Sequence, residues 1–311
     1  MLLALLAPAI LFLAVLTLYL ISTRPVSFQQ LYARVDDETT RSLQAFRRAH
    51  PVRHLTVDGV AWEYLALGQG DETILFLHGL AGAYDIWWQQ IETLCERYRV
   101  LSVTYPPVDS LQAQSHGMMA ILAQEQVSAV NVVGSSLGGY LAQYLVAKHP
   151  GKIKRAILAN TLPPNEILAR KTRAARLLPV VPEWMILLGL RLNTSRGIYP
   201  TSEHSEIVRA YLLEQSYRTM SKAQFIARYR CVIDPFTPPA AQEQGIAILI
   251  IEADNDPLIE KTLREMLKAT YPSALVHTFH DAGHFPYLNR PQVYARLIER
   301  FLTGEIKRKQ P

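Results

Sequence analysis

The sequence predicts an α/β fold with a mostly parallel central sheet, a helical cap inserted into it, and an apolar helix ahead of it. Three observations carry this. Strand-like apolar runs alternate with helical patterns from Thr73 to Leu158, which implies crossover connections and parallel pairing. The alternation breaks from Leu162 to Arg230, where five prolines punctuate helical pieces, and strand runs return at Ala247–Ile251. Upstream, Leu2 to Ile21 is apolar on every helical face.

Residues 1–23 carry no charged side chain. A helix over Leu2–Ile21 would be about 30 Å long, enough to cross a bilayer core. A cleavable signal peptide is the rival reading, but the start lacks Lys or Arg and no small-x-small site follows. The expectation is therefore a retained single-pass anchor in the membrane. Arg24, Arg34 and Arg41 behind it favour a cytoplasmic catalytic domain. Residues 24–53 read as a tether with a short helix near Glu38–Ala49. His54–Val57 and Ala61–Leu67 read as a hairpin about Asp58-Gly59. Next come the strand–helix pairs Thr73–Leu77 with Tyr84–Cys95, Arg99–Thr104 with Leu111–Gln124, and Ala129–Val133 with Leu137–Lys148, then a strand at Lys154–Leu158. Ala247–Ile251 and Ala274–Phe279 complete the sheet. The core is thus 54–161 and 231–305, the cap 162–230, and a basic tail 306–311.

At 311 residues and 49% apolar content, the chain can build one large core. Its net charge of +5 would suit an acidic partner, but no zinc spacing, phosphate-cradling glycine loop or basic-aromatic strand pattern is present. Nucleic acid is not an expected partner. Two cysteines, Cys95 and Cys231, exclude a disulfide scaffold. The cap segment holds eleven Lys or Arg against five Asp or Glu, and the apolar run Trp184–Leu190.

Gly134-Ser135-Ser136-Leu137-Gly138 fits G-x-S-x-G between a strand and a helix. A sharp strand-to-helix turn strains the central residue and exposes its hydroxyl at the sheet edge, while small residues on either side let the two elements pass closely. Ser136 is the candidate nucleophile. It needs a base, and the base needs a third group to hold its tautomer. In folds with this elbow the chain order is Ser, Asp or Glu, His. Asp256-Pro257 lies in the loop after Ala247–Ile251, and Asp281-Ala282-Gly283-His284 follows the last strand. His284 is the candidate base. Asp256 is the favoured acid because Pro257 biases its backbone toward an extended conformation. Asp254, two residues away, is the alternative, or else a loop-capping or solvent-facing carboxylate. The turn His78-Gly79-Leu80-Ala81-Gly82 after Thr73–Leu77 offers the N–H of Leu80, which with that of Leu137 would form an oxyanion hole.

These residues resemble the α/β-hydrolase superfamily over about residues 54 to 303, and more narrowly its maspardin-like branch. Where most members carry Asp-x-x-Gly-x-Gly-x-Ser after the fourth strand, this chain has Val103-Thr104-Tyr105-Pro106-Pro107-Val108-Asp109. Tyr271-Pro272-Ser273-Ala274 and Phe285-Pro286-Tyr287-Leu288 are also similar to that branch. Maspardin itself has Asn where the base is needed and is regarded as a binding or adaptor protein. Here His284 is present. The resemblance implies an α/β-hydrolase fold and a serine hydrolase acting on a small-molecule carboxylic ester or thioester; the apolar run Trp184–Leu190 in the cap points to a lipophilic acyl group. The resemblance implies no cofactor and no metal. A non-catalytic adaptor and an acyltransferase with the same triad are the alternatives. Nothing in the chain names a protein partner.

Overall fold

The computed structural model describes residues 13, 16–21, 24–164, 167, 173–238 and 245–306. Among these residues, eight strands form one sheet in the order β1-β2-β4-β3-β5-β6-β7-β8. They are β1 (Arg53–Val57), β2 (Val60–Leu67), β3 (Thr73–Leu77), β4 (Arg99–Thr104), β5 (Val130–Ser135), β6 (Ile153–Ala159), β7 (Ala247–Ala253) and β8 (Leu275–Phe279). β2 pairs antiparallel with β1 and β4, and every other pairing is parallel. The hairpin turns at Asp58 and Gly59, with φ of 50° and 78°. Two successive positive φ values match the twist of the flanking strands.

Strand alternation divides the core in two. On β3, Ile74 and Phe76 join Trp87, Trp88, Tyr294 and Phe301. Leu75 and Leu77 join Met118, Ile121, Tyr140 and Leu141 on the other face. Helices therefore cover both faces, and the strands between them read as continuous apolar runs. The helices Leu111–Gln124 and Leu137–Lys148 occupy the ranges expected. Tyr84–Leu94 opens as a 3-10 turn and continues as an α-helix from Trp88.

Of residues 24–53, Phe28–Tyr32 and Asp37–Ala49 are helical, and Tyr32, Leu43 and Phe46 are buried in the core. Arg47 ties this segment to the rest. Its guanidinium donates to Asp85 at 2.6 Å and to both oxygens of Glu214 at 3.0 Å. Glu214 ends a helix of the insertion between β6 and β7, Glu206–Glu214. That insertion also contains Glu183–Asn193 and Lys222–Val232.

The membrane expectation is corrected here. Among the described residues, no helix is long and apolar enough to cross a membrane. Neither the single-pass anchor nor the cytoplasmic placement derived from it is supported. Most of residues 1–23 lies outside the described residues, as do 165–166, 168–172 and the tail 307–311. The described end of the apolar segment meets the insertion: the Trp184 indole N–H donates to the Leu18 carbonyl at 2.7 Å, and the Tyr19 hydroxyl donates to the Val180 carbonyl.

Candidate active site

The parallel strands end at one edge of the sheet, and the candidate residues lie in the loops there, as ligand sites do in open α/β sheets. β5 runs into the elbow. Ser136 has φ 55° and ψ −120°, a left-handed value a non-glycine residue adopts only when its surroundings force it. The forcing contacts are specific. A Cβ on Gly134 would stand 2.2 Å from the Gly138 carbonyl oxygen, and one on Gly138 would stand 2.0 Å from that of Leu77. The Ser136 N–H donates to the Ala159 carbonyl at 2.9 Å, and the Thr161 hydroxyl donates to the Ser136 carbonyl at 2.7 Å. The backbone is pinned while, among the described residues, the half-buried hydroxyl has no hydrogen-bond partner.

β7 and β8 bring Asp256 and His284 together. His284 Nδ1 lies 2.8 Å from one Asp256 carboxylate oxygen and 3.0 Å from the other. Both side chains are essentially buried. The N–H groups of Leu258 and Ile259 donate to Asp256 Oδ1 at 2.8 and 3.0 Å, and Asn160 Nδ2 donates to Oδ2 at 2.9 Å. Burial alone would raise this carboxyl. His284, Asn160 and the backbone donors outweigh it and hold Asp256 below the usual carboxylate value, so it stays charged. Asp254 faces outward instead. It accepts from His280 Nδ1 at 2.7 Å and from the Asp281 N–H at 3.0 Å. Among the described residues, no hydrogen bond joins Ser136 Oγ to His284.

The turn after β3 lies against Ser136. A Cβ on Gly79 would stand 3.2 Å from the Ser136 Cβ. Among the described residues, neither the Leu80 nor the Leu137 N–H has a hydrogen-bond acceptor; Leu137 is the first residue of its helix, where N–H groups are left over. The turn is held from inside by His78, which is fully buried and stacked on Tyr105 with ring centroids 3.9 Å apart. His78 Nε2 accepts the Tyr105 N–H at 3.3 Å, so the ring proton sits on Nδ1 and is donated to the Gly79 carbonyl at 2.6 Å. Burial, and then the charge of Arg228, hold this imidazole well below the ordinary histidine value.

A stability consequence follows. The unfolded chain takes up a proton at His78 as pH falls through about 6.5, and the folded chain does not. Stability present above that pH is lost below it, with a slope approaching about 1.4 kcal/mol per pH unit. His149 and His277, both lowered mainly by burial, add in the same direction. The melting temperature should drop between about pH 7 and about pH 5, and His78→Asn should flatten that drop. An equal slope in the variant would show that His78 is not its main source.

Three residues of the site were not singled out from sequence. Asn160 supports Asp256. Asn255 accepts the Gly283 N–H at 2.8 Å and donates to the Thr201 carbonyl at 2.8 Å, tying the His284 loop to the insertion. Arg228 of the insertion reaches the His78–Gly82 turn. None left a clear sequence signal: Asn160 merely follows β6 at the same sheet edge, where its φ is 42°.

A strained strand-to-helix turn carrying Ser136, a carboxylate-held histidine and, among the described residues, two N–H groups without an acceptor lie together at one edge of a parallel sheet covered on both faces, an arrangement of the α/β-hydrolase type. A family model described as "Alpha/beta hydrolase family" matches residues 74–297, and the chain belongs to that family. Maspardin of Danio rerio is 23% identical over 253 residues, covering 79% of this chain and 80% of maspardin. Pimeloyl-[acyl-carrier protein] methyl ester esterase of Aromatoleum aromaticum is 26% identical over 262 residues, covering 74% of this chain and 98% of the esterase. Among solved structures, the enol-lactonase from Burkholderia xenovorans superposes with a TM-score of 0.69 at 18% identity, covering 81% of this chain and all of the lactonase. That likeness speaks for the fold alone.

Proposed function

We propose that this protein is a serine hydrolase that cleaves a carboxylic ester or thioester through an acyl-Ser136 intermediate. Family membership and an esterase among the relatives support hydrolysis. The observation that carries the serine mechanism is the buried Asp256–His284 pair, together with the strained, uncommitted Ser136 at the same sheet edge.

In the proposed reaction, Ser136 Oγ attacks the acyl carbon while its proton passes to His284 Nε2. Asp256 holds the proton on Nδ1 and stabilises the imidazolium. The Leu80 and Leu137 N–H groups receive the oxyanion. As the tetrahedral adduct collapses, His284 returns the proton to the departing alcohol or thiol. Water then repeats the sequence on the acyl-serine, and the free acid leaves. Residues 162–230 serve as the cap that selects the acyl group. In this insertion the helix Glu183–Asn193 turns Ile186 and Leu187 inward as buried apolar residues, an apolar interior in keeping with a lipophilic acyl chain as substrate.

The test is labelling by a fluorophosphonate probe beside hydrolysis of p-nitrophenyl esters of increasing chain length. Wild type should be labelled at Ser136 and turn over esters at a rate unchanged by a chelator. An unlabelled, inactive wild type would instead favour a maspardin-like binding role.

A further inference from the structure

We infer that Arg228, on the insertion, is the positioning residue for the oxyanion hole: it fixes the turn that aims the Leu80 N–H at the acyl oxygen. The inference rests on the serine-hydrolase reading and adds a residue the triad does not contain. Arg228 is 2% exposed and lies in the helix Lys222–Val232. Its Nη1 donates to the Leu80 and Gly82 carbonyls, both at 2.9 Å, and its Nη2 to the Tyr105 carbonyl at 3.0 Å.

The geometry closes a circuit around one peptide plane. The Leu80 N–H and the Gly79 carbonyl belong to the same trans peptide and point in opposite directions. The Gly79 carbonyl is held inward by His78 Nδ1–H and by the Gly82 N–H at 3.1 Å. The Leu80 N–H must therefore face the other way. Arg228 fixes the next carbonyl, that of Leu80, and the one at the end of the turn. Tyr105 closes the loop: its N–H binds His78, its carbonyl receives Arg228, and its ring stacks on His78.

The charge matters as well as the hydrogen bonds. Arg228 has no carboxylate among its hydrogen-bond or ion-pair partners in the described structure, and its Nε–H is unpaired. Burying a guanidinium without a carboxylate is unfavourable, and burial lowers its pKa to about 10, still charged at neutral pH. A neutral amide could cross-link a turn without that cost. A cation behind the turn also disfavours protonation of His78, which would otherwise lose its bond from the Tyr105 N–H. It is bonded to the same turn whose Leu80 N–H would receive the negative charge that develops in the proposed reaction.

The test compares wild type, Arg228→Lys and Arg228→Gln, with rates counted per site titrated to completion with fluorophosphonate. Displacing one oxyanion donor costs about 10²-fold or more. Arg228→Gln should lower kcat by about that factor and leave KM and the affinity for the product alcohol unchanged. Affinity for a trifluoromethyl ketone, which places an oxyanion in the hole, should fall in parallel with kcat/KM. Arg228→Lys keeps the charge without the planar fork and should recover about tenfold of the loss, still short of wild type. If Arg228→Gln does not fold, the lysine variant carries the same comparison. A kcat within threefold of wild type in the folded variants overturns the positioning role. So does an equal loss of affinity for the ketone and the alcohol, which would mark Arg228 as packing only. A wild type that does not label overturns the serine-hydrolase reading itself, a result distinct from either.

Discussion

Ser136→Ala should lower ester turnover by about 10⁴-fold or more and abolish fluorophosphonate labelling, while the melting temperature stays close to that of wild type. The stability expectation is specific to this side chain. Its hydroxyl makes no hydrogen bond to His284 among the described residues, and Ala at φ 55° carries the same backbone strain as Ser. The elbow is held by Gly134, Gly138 and Thr161, none of which the substitution touches. His284→Ala should lose as much activity but also some stability. It removes one of the donors that balance the buried charge of Asp256, worth about 1–3 kcal/mol. Similar rates in wild type and Ser136→Ala would end the acyl-serine mechanism.

The sheet and its edge were legible because their signals are local. The apolar runs of β3, β4, β5 and β7 have no other use in a chain of this composition. The glycines of the elbow stand where a Cβ would strike backbone, at 2.2 Å for Gly134 and 2.0 Å for Gly138. The supports of the site were not legible for the opposite reason. Asn160 reaches Asp256 across 96 residues, and Arg228 reaches Gly82 across 146. An asparagine after a strand and an arginine on a cap helix look like ordinary surface residues until the fold buries them. The N-terminal segment erred differently. Uniform apolarity says that a helix avoids water, but not what shields it. The described end of the segment bonds the insertion at Trp184, and no described helix spans a membrane.

Asp256→Asn should cost about as much as losing the base, about 10⁴-fold, and Asp254→Asn should stay within about threefold of wild type. The geometry determines how an asparagine would sit at 256. Its oxygen would take the place of Oδ1, because the Leu258 and Ile259 N–H groups require an acceptor there. Its amide nitrogen would then stand at Oδ2, opposite His284 Nδ1 and beside the Asn160 amide donor. A donor facing Nδ1 drives the ring proton to Nε2, and a protonated Nε2 cannot accept the proton of Ser136. The Asn160 amide also loses the shorter of its two acceptors, keeping the Gly283 carbonyl at 3.3 Å, so a stability loss of about 1–3 kcal/mol should accompany the kinetic one. Asp254 has none of these partners. It is half exposed and bonds His280 and the Asp281 N–H outside the pair. The two variants, measured side by side for kcat/KM on a p-nitrophenyl ester, separate the candidates. A damaged Asp254→Asn beside a tolerated Asp256→Asn would transfer the role of the acid to Asp254.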